Sequence, residues 1–261
     1  MSPALLEVEG VTKRFGGIQA LSECALQVEQ GSIAGLIGPN GSGKTTLFNV
    51  ITGYQRVREG DVRLAGRPIT NLSPDRIFKR GIGRTFQLTR VFGRLTVMEN
   101  MLVASQHQKS WARSAFRRAG SHGERRRAND LLDFVGIAKL ADQPAANLSY
   151  GQRKLLELAY VLMADPEFLL LDEPAGGVNP TLINLLSERI RELNREGRTF
   201  LIVEHNMEFV MGLCDRVTVM DHGSMLVSGS PDEVRSDPRV LDAYLGGVDD
   251  DDEDGLANAS A

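Results

Sequence analysis

A short glycine-rich segment constrains this chain more than any other part of its sequence. Residues Gly38–Thr45 have the sequence Gly-Pro-Asn-Gly-Ser-Gly-Lys-Thr and match the pattern G-x-x-x-x-G-K-[ST]. The apolar run Ile33–Ile37 precedes the segment, and Leu47, Val50 and Ile51 follow it at helical spacing. Because the segment joins a predicted strand to a predicted helix, a phosphate-binding loop is favoured over an ordinary glycine-rich turn.

The residue types in this segment suit a bound polyphosphate. Glycines allow successive backbone N–H groups to turn towards an anion, and the N-terminus of the following helix adds the positive end of its dipole. Lys44 is predicted to contact the β- and γ-phosphates of ATP, and the hydroxyl group of Thr45 is predicted to bind Mg²⁺.

A pair of carboxylates follows a second apolar run. Phe168–Leu171 is predicted to be a buried strand, and Asp172 and Glu173 come directly after it. In a parallel sheet, ligands bind at the carboxyl ends of the strands. Asp172 is therefore predicted to meet Mg²⁺ and Glu173 to polarise the attacking water, which is the positioning that phosphoryl transfer requires. A solvated strand end is the alternative, and Gly38–Thr45 in the same chain favours the functional interpretation.

Strands alternate with helices along most of the chain, which predicts an α/β fold with a largely parallel sheet. Between about Thr96 and Ala164 the periodicity is helical, and Thr96-Val97-Met98-Glu99 fits a capping box. This region is predicted to be a helical subdomain inserted into the core. Further strands are predicted at Asp61–Ala65, Gly81–Phe86, Thr199–Val203, Arg216–Met220 and Ser224–Val227, and further helices at Lys44–Thr52, Glu124–Val135, Ser149–Met163, Leu182–Leu193, Met207–Leu213 and Pro238–Leu245.

Composition indicates a globular protein without a membrane span. Of 261 residues, 42% are hydrophobic and 25% charged, and no apolar run approaches the roughly 20 residues of a spanning helix. The first ten residues lack the features of a signal peptide, so we expect the chain to stay in the cytosol. The two cysteines, Cys24 and Cys214, fit no metal motif and are expected to be small buried residues.

The net charge of −4 comes from the C-terminus, where Asp249–Asp254 is a run of six acids. Residues 248–261 are predicted to be an acidic, disordered tail. The rest of the chain is close to neutral, which argues against nucleic-acid binding. The basic segment Lys109–Arg127 could contact lipid headgroups or a partner, but a solvated loop is favoured.

Several further motifs resemble those of the ATP-binding-cassette (ABC) ATPases. Leu148–Gln152, Leu-Ser-Tyr-Gly-Gln, is similar to the signature motif of that family, and Ala175–Pro180 corresponds to its D-loop. Gln87 resembles the Q-loop glutamine and His205 the switch histidine. Phe15 is placed where the family stacks an aromatic ring on adenine. Taken singly, these residues could be a surface glutamine, a structural histidine and a core aromatic.

The resemblance covers about residues 4–247 and implies a P-loop NTPase (RecA-like) core with a mostly parallel sheet, an N-terminal antiparallel β region and an inserted helical subdomain. The expected single domain has its core at about 4–86 and 165–230, the helical subdomain at about 87–164 and a C-terminal helical piece at about 231–247.

The resemblance also implies the cofactors ATP and Mg²⁺ and a set of site residues. In this family two ATPase domains clamp two ATP molecules, and the signature motif of one domain reaches the γ-phosphate held by the other. The expected catalytic residues are Glu173, His205, Gln87 and Lys44, and the expected metal ligands are Thr45, Gln87 and Asp172. The residues expected to bind the nucleotide are Phe15, Gly38, Pro39, Asn40, Gly41, Ser42, Gly43, Lys44, Thr45, Thr46, Ser149, Gly151 and Gln152.

Two departures from the family pattern point to one subgroup. Tyr150 stands where glycine is usual, and Asn179 replaces the usual D-loop aspartate. Both resemble the ATPase subunits of branched-chain amino acid importers, as do Leu95–Asn100 and Val203–Met207. Such importers usually contain two different ATPase subunits, and this chain is similar to the larger, which keeps a histidine at the position of His205.

The resemblance implies a location on the cytoplasmic face of the membrane. The expected partners are integral-membrane permease subunits and a second ABC ATPase, identical or different, with a periplasmic or surface binding protein acting indirectly. Urea, short amides and aromatic acids stay open as cargo, and so does lipid export. A soluble ABC ATPase without a membrane partner is a further alternative, whereas the signature motif argues against an unrelated P-loop kinase.

Overall fold

The computed structural model describes residues 3–85, 91–106 and 122–245. Within these ranges the strands are β1 (Ala4–Phe15), β2 (Ile18–Glu29), β3 (Ile33–Ile37), β4 (Glu59–Leu64), β5 (Arg67–Pro68), β6 (Ile82–Arg84), β7 (Phe168–Asp172), β8 (Thr199–Val203), β9 (Arg216–Asp221) and β10 (Ser224–Gly229). The α-helices are α1 (Lys44–Ile51), α2 (Pro74–Phe78), α3 (Val97–Gln106), α4 (His122–Phe134), α5 (Tyr150–Leu162), α6 (Pro180–Arg195), α7 (Met207–Leu213), α8 (Pro231–Ser236) and α9 (Pro238–Leu245).

A six-stranded sheet in the order β10-β9-β3-β8-β7-β6 forms the centre of the molecule. All neighbours in it are parallel except the hairpin of β9 and β10. Every residue of β3, β7 and β8 is buried, which explains why these strands are continuous apolar runs. The predicted α/β class with a mostly parallel sheet is confirmed.

Alternate residues of the central strands face two different hydrophobic clusters. On β7, Phe168 and Leu170 pack with the antiparallel sheet and α1, whereas Leu169 and Leu171 pack with the helices on the other face. This follows from the two-residue period of a strand, whose successive side chains point to opposite faces. The sheet is therefore covered on both sides, and the acidic residue Asp172 of β7 stands at the strand's end.

The second sheet is antiparallel and has the order β2-β1-β4-β5. It forms the predicted N-terminal antiparallel region, in which β4 matches the strand predicted at Asp61–Ala65, whereas β1 and β2 were not predicted. The reason is the irregular register of β1 on β2, which shifts between Val8 and Val11, next to Gly10 with φ of 59°. Such a bulge interrupts the alternation of apolar and polar residues by which a strand is recognised.

Helices α3, α4 and α5 pack together on buried side chains that include Ala128, Leu132 and Leu155. The predicted capping box at the start of α3 is confirmed, because the Thr96 N–H donates to Glu99 Oε2 at 2.7 Å and the Glu99 N–H donates to Thr96 Oγ1 at 3.1 Å. Among the described residues, none of the helices combines the length and apolar character needed to cross a membrane.

Other expectations have mixed outcomes. Cys24 and Cys214 are buried as predicted, and burial together with Asp215 raises the pKa of the Cys214 thiol to about 12. The helix predicted from Leu182 begins two residues earlier, at Pro180. The acidic tail and residues 109–121 of the basic segment lie outside the described ranges. The domain boundaries stay a prediction.

A buried asparagine holds the segment before α3 against this helical group. The side chain of Asn100 accepts the N–H of Phe92 at 2.8 Å and donates to the carbonyl groups of Phe92 at 3.1 Å and Thr96 at 2.9 Å. Asn100 is fully buried, and the three hydrogen bonds that its side chain makes are partly shielded from water.

Replacing this asparagine is expected to destabilise the protein. Asn100→Leu should lower the free energy of unfolding by roughly 2–3 kcal/mol, because it removes three hydrogen bonds from partly buried backbone groups of Phe92 and Thr96. Denaturant unfolding followed by circular dichroism measures the change. Asn147→Leu, at an exposed position, serves as the control and should change the value by less than about 0.5 kcal/mol. Equal stability of the two variants would contradict the assignment.

Candidate functional site

The segment between β3 and α1 forms a tight loop that only glycine can accommodate at several positions. Gly38, Gly41 and Gly43 have φ angles of 149°, 81° and 101°. A Cβ atom on Gly43 would lie 2.6 Å from the carbonyl oxygen of Ala20, and one on Gly38 would collide with the carbonyl oxygen of Met220. The loop therefore rests directly on the backbone of its neighbours.

Lys44 is folded into this loop. Its Nζ donates to the carbonyl oxygens of Gly38 at 2.8 Å and Pro39 at 2.7 Å, and it lies 3.3 Å from Ser42 Oγ. Burial lowers the pKa of the Lys44 ammonium group, and the negative charge of Glu173 partly opposes that shift. The loop is thus shaped around a positive charge.

Several of the remaining predicted phosphate contacts are accessible to solvent, whereas Ser42 is buried. Asn40, Gly41 and Thr45 are exposed, and Thr46 is half-buried in the first turn of α1. Gly43 is the N-cap of this helix and has no side chain that could accept a hydrogen bond from the first N–H groups of α1. The first N–H groups of α1 and the Thr45 hydroxyl are accordingly available to a ligand at the positive end of the helix dipole.

Phe15 lies at the end of β1, where the hairpin to β2 turns. Phe15 pairs with Ile18 on β2. Two residues further along β2, the carbonyl oxygen of Ala20 lies against Gly43 of the phosphate loop. The Phe15 ring is 45% exposed, and Lys13 Nζ lies 5.0 Å from its centroid. An exposed aromatic ring at the tip of a hairpin whose strand β2 contacts the phosphate loop fits the predicted stacking on adenine.

Asp172 is the last residue of β7 and takes part in a buried ion pair. Its Oδ2 lies 3.1 Å from Arg84 Nη2, and the two side chains are only 5% and 8% exposed. Burial raises the pKa of Asp172, and the positive charge of Arg84 opposes that shift. The Asp172 N–H also donates to Thr85 Oγ1 at 3.1 Å.

Arg84 connects Asp172 to residues of α1 and its C-cap. The sequence did not reveal this connection. Arg84 Nη1 donates to Asn49 Oδ1 at 2.8 Å and to Thr52 Oγ1 at 2.6 Å. The guanidinium group also lies over the ring of Phe48 at 5.2 Å. An arginine at the end of a short buried strand was the available signal, but only the fold identifies its partners.

Glu173 and His205 are brought together at the ends of adjacent strands. The Glu173 N–H donates to the carbonyl oxygen of Val203 at 2.9 Å, and Glu173 Oε2 lies 4.0 Å from His205 Nδ1. Glu173 has φ of 46°, which is unusual for a residue with a side chain and is typical of functional sites. Lys154 Nζ donates to the carbonyl oxygen of Glu173 at 3.1 Å.

A second glutamate was missed by the sequence analysis. Glu204 follows β8 directly, and its buried carboxylate accepts N–H groups from Ala175, His205 and Asn206. In the sequence, Glu204 appeared only as a neighbour of the histidine. Its partner Ala175 is 29 residues away along the chain, so no local pattern could indicate the contact.

The signature-like segment lies at the start of α5. Ser149 is the N-cap and forms a capping box with Gln152, with Oγ accepting at 3.2 Å and the Ser149 N–H donating at 2.9 Å. A Cβ atom on Gly151 would lie 2.5 Å from Leu182 Cδ1, so α5 packs closely on α6 here. In the described part of the chain, neither Ser149 nor Gln152 has a hydrogen bond to the phosphate loop.

Both departures from the family pattern have structural partners. The ring of Tyr150 covers Gly177, whose Cβ position lies 3.2 Å from Tyr150 Cε1. Asn179 is the N-cap of α6, and its Oδ1 accepts the Leu182 N–H at 3.0 Å. An asparagine serves this purpose as well as an aspartate does.

Gln87, predicted as a catalytic residue and a metal ligand, lies outside the described residues. The structure places Arg84 and Thr85, which precede it, in contact with Asp172. The predicted roles of the site residues stay predictions.

Comparison with known proteins agrees with this geometry. A sequence family described as ABC transporter matches residues 21–176, and one described as branched-chain amino acid ATP-binding cassette transporter matches residues 224–250. The chain belongs to the ABC transporter family. It is an ATPase subunit with the P-loop NTPase fold that the sequence predicted.

The similarity to individual proteins extends over nearly the whole chain. The high-affinity branched-chain amino acid transport ATP-binding protein LivG of Salmonella typhimurium is 42% identical over 254 residues, which cover 94% of this chain and 99% of LivG. The crystal structure of the ADP conformation of an ABC transporter cassette is 36% identical, covers 94% of this chain and 100% of its own, and has a TM-score of 0.85. A second solved structure, that of a dimeric bacterial ABC transporter cassette, is 25% identical in sequence and has a TM-score of 0.76. The match covers 87% of this chain and 98% of that cassette.

Removing the loop lysine is expected to weaken nucleotide binding. Lys44→Ala deletes a charge-assisted contact worth about 1.5–3 kcal/mol, so the Kd for ATP should rise roughly 10- to 100-fold. Isothermal titration calorimetry measures this Kd. Lys79→Ala, at an exposed pair with Asp75, is the matched control and should bind ATP like the wild type. Unchanged ATP binding by Lys44→Ala would contradict the phosphate-loop assignment.

Breaking the buried ion pair between Arg84 and Asp172 is expected to lower the stability of the protein. Arg84→Met leaves the buried charge of Asp172 unpaired and should lower the free energy of unfolding by about 3–5 kcal/mol. The double variant Arg84→Met/Asp172→Asn should recover part of this loss. Lys79→Met breaks the exposed pair with Asp75 and should cost at most about 1 kcal/mol. Equal losses in Lys79→Met and Arg84→Met, by denaturant unfolding, would argue against the buried pair.

Proposed function

We propose that this chain hydrolyses ATP with Mg²⁺ to drive the uptake of branched-chain amino acids through a membrane permease. The observation that carries the proposal is the similarity to LivG, a branched-chain amino acid transport ATP-binding protein, over 94% of this chain and 99% of that protein. The match of residues 224–250 to the branched-chain amino acid family supports the same cargo.

In this proposal the phosphate loop holds the nucleotide. Backbone N–H groups of Gly41–Thr45 and the N-terminus of α1 bind phosphate oxygens. Lys44 exchanges its carbonyl partners in the loop for phosphate oxygens. Phe15, exposed at the tip of the hairpin between β1 and β2, stacks on the adenine.

Asp172 at the end of β7 and Thr45 in the first turn of α1 carry oxygen atoms that fit a magnesium site. The carboxylate of Asp172 and the hydroxyl of Thr45 are oxygen donors of the kind that Mg²⁺ prefers, and Gln87 is the proposed third ligand. Arg84 binds Oδ2 of Asp172 and thereby fixes the carboxylate. When bound, Mg²⁺ supplies neutralisation of charge on the β- and γ-phosphates.

Hydrolysis is assigned to the pair Glu173 and His205. The carboxylate of Glu173 accepts a hydrogen bond from the attacking water and polarises it. His205, with Nδ1 4.0 Å from Glu173 Oε2, acts on the same ATP. The positive φ of Glu173 and the hydrogen bond of its N–H to Val203 fix the backbone from which the carboxylate projects.

The proposed working unit is a dimer of two ATPase subunits, identical or different, bound to permease subunits at the cytoplasmic face of the membrane. Ser149 and Gly151 of one subunit then contact the ATP held by the other, which suits their place at the N-terminus of α5. A similar cassette of known structure is dimeric. A substrate-binding protein outside the membrane takes part only indirectly.

Replacing the proposed water-polarising residue should separate binding from turnover. Glu173→Gln is expected to bind ATP with near wild-type affinity but to lose about 10²- to 10⁴-fold in kcat, because an amide is a poor general base. Phosphate release measures kcat, and calorimetry measures affinity. Glu188→Gln, exposed on α6, is the matched control. Wild-type turnover of Glu173→Gln would remove Glu173 from the mechanism.

Purification of the tagged chain from its native membranes tests the transport role, with co-purifying proteins identified by mass spectrometry. We expect a pair of membrane permeases and a second ABC ATPase. The Glu173→Gln variant, which should hold ATP without hydrolysing it, is purified in parallel to stabilise the assembly. Recovery without a membrane partner would leave the ATPase assignment intact and exclude the transport role.

A further inference from the structure

Glu204 holds two loops together with one buried carboxylate. Its Oε1 accepts the N–H of Ala175 at 2.6 Å, and its Oε2 accepts the N–H groups of His205 at 2.9 Å and Asn206 at 3.1 Å. The residue is fully buried. A buried carboxylate is costly unless hydrogen bonds replace its water, and three N–H donors meet that requirement.

The two loops follow adjacent strands, and each carries one proposed catalytic side chain. Ala175 lies two residues after Glu173 in the loop that follows β7, whereas His205 and Asn206 begin the loop that follows β8. His205 has an exposed side chain, whose Nδ1 lies 3.7 Å from Glu204 Oε2 and 4.0 Å from Glu173 Oε2. Glu204 therefore fixes the backbone of His205 rather than contacting the reaction itself.

The turn around His205 is anchored on both sides. The Glu204 N–H donates to the carbonyl oxygen of Leu36 on β3 at 3.3 Å. On the far side, Asn206 is the N-cap of α7 and accepts the N–H of Phe209 at 3.0 Å. Between these anchors, the position of His205 relative to the loop of Glu173 depends on the carboxylate of Glu204.

We infer that Glu204 is a positioning residue that sets His205 against Glu173 and connects the loop of Ala175 to the histidine. This inference rests on the catalytic roles proposed for Glu173 and His205. Because one carboxylate binds Ala175 and His205, displacement of either loop is transmitted to the other. A carboxylate is required, since it offers acceptors to both loops, whereas a glutamine amide has one acceptor oxygen and turns its NH₂ group towards an N–H.

A double-mutant cycle tests the inference, with Glu204→Gln, His205→Ala and the combined variant. We measure kcat, KM for ATP and the Kd for ATP. Glu204→Gln should lower kcat roughly 10- to 100-fold, within the range for misplaced catalytic groups, and should leave KM and Kd within about twofold. The combined variant should be no slower than His205→Ala, because residues that act through one another are not additive.

Two further variants distinguish positioning from a general loss of structure. Glu233→Gln changes another carboxylate that accepts a backbone N–H, that of Ser230 at 2.7 Å in the capping box of α8, and should keep wild-type kcat. Glu204→Asp keeps the carboxylate and should recover part of the kcat that Glu204→Gln loses. It also supplies the test if Glu204→Gln fails to fold in a thermal unfolding scan.

The outcomes separate this inference from the proposed mechanism. If His205→Ala is slow but Glu204→Gln has wild-type kcat, or if the two losses multiply in the combined variant, the inference alone is overturned. If His205→Ala has wild-type kcat, the proposed role of His205 fails and the inference fails with it. A slow Glu204→Gln variant, partial recovery in Glu204→Asp and a combined variant equal to His205→Ala would support it.

Discussion

The parallel pairing of β7 with β6 and β8 determines where Asp172, Glu173 and Glu204 lie. Asp172 pairs with Val203, so β7 and β8 end together at one edge of the sheet, and Arg84, which pairs with Leu170, ends β6 two residues earlier on the same side. Glu173 and Glu204 therefore leave their strands side by side. A shift of β7 by one residue would turn Asp172 towards the opposite face of the sheet, so the chemistry depends on this register.

The site concentrates buried charge at that edge, and each charge has specific partners. Asp172 is paired with Arg84, and Glu204 accepts three backbone N–H groups. Without such partners these groups would strongly oppose folding. The partners also restrict movement, because Arg84 on β6, Ala175 after β7 and His205 after β8 belong to different parts of the chain. Stability and the alignment of reacting groups thus have a common origin in this part of the molecule.

The sequence predicted the features whose residues are contiguous. Gly38–Thr45 and the run from Phe168 to Glu173 each combine an element and its functional residues in one short pattern, and the fold class followed from the alternation of strands and helices along the chain. Arg84 and Glu204 escaped prediction because their partners lie up to 88 and 29 residues away and no local pattern marks them. The strands β1 and β2 were not assigned because a register shift at Gly10 breaks their alternation.

The folded-back position of Lys44 affects what a nucleotide gains on binding. An exposed lysine must release ordered water before it can hold a phosphate oxygen. Here the ammonium group has already exchanged that water for the carbonyl oxygens of Gly38 and Pro39. Its dehydration is thus completed when the chain folds, and binding substitutes charged oxygens for neutral ones. The loop is therefore expected to discriminate between ligands by their charge more than by the number of hydrogen bonds they offer.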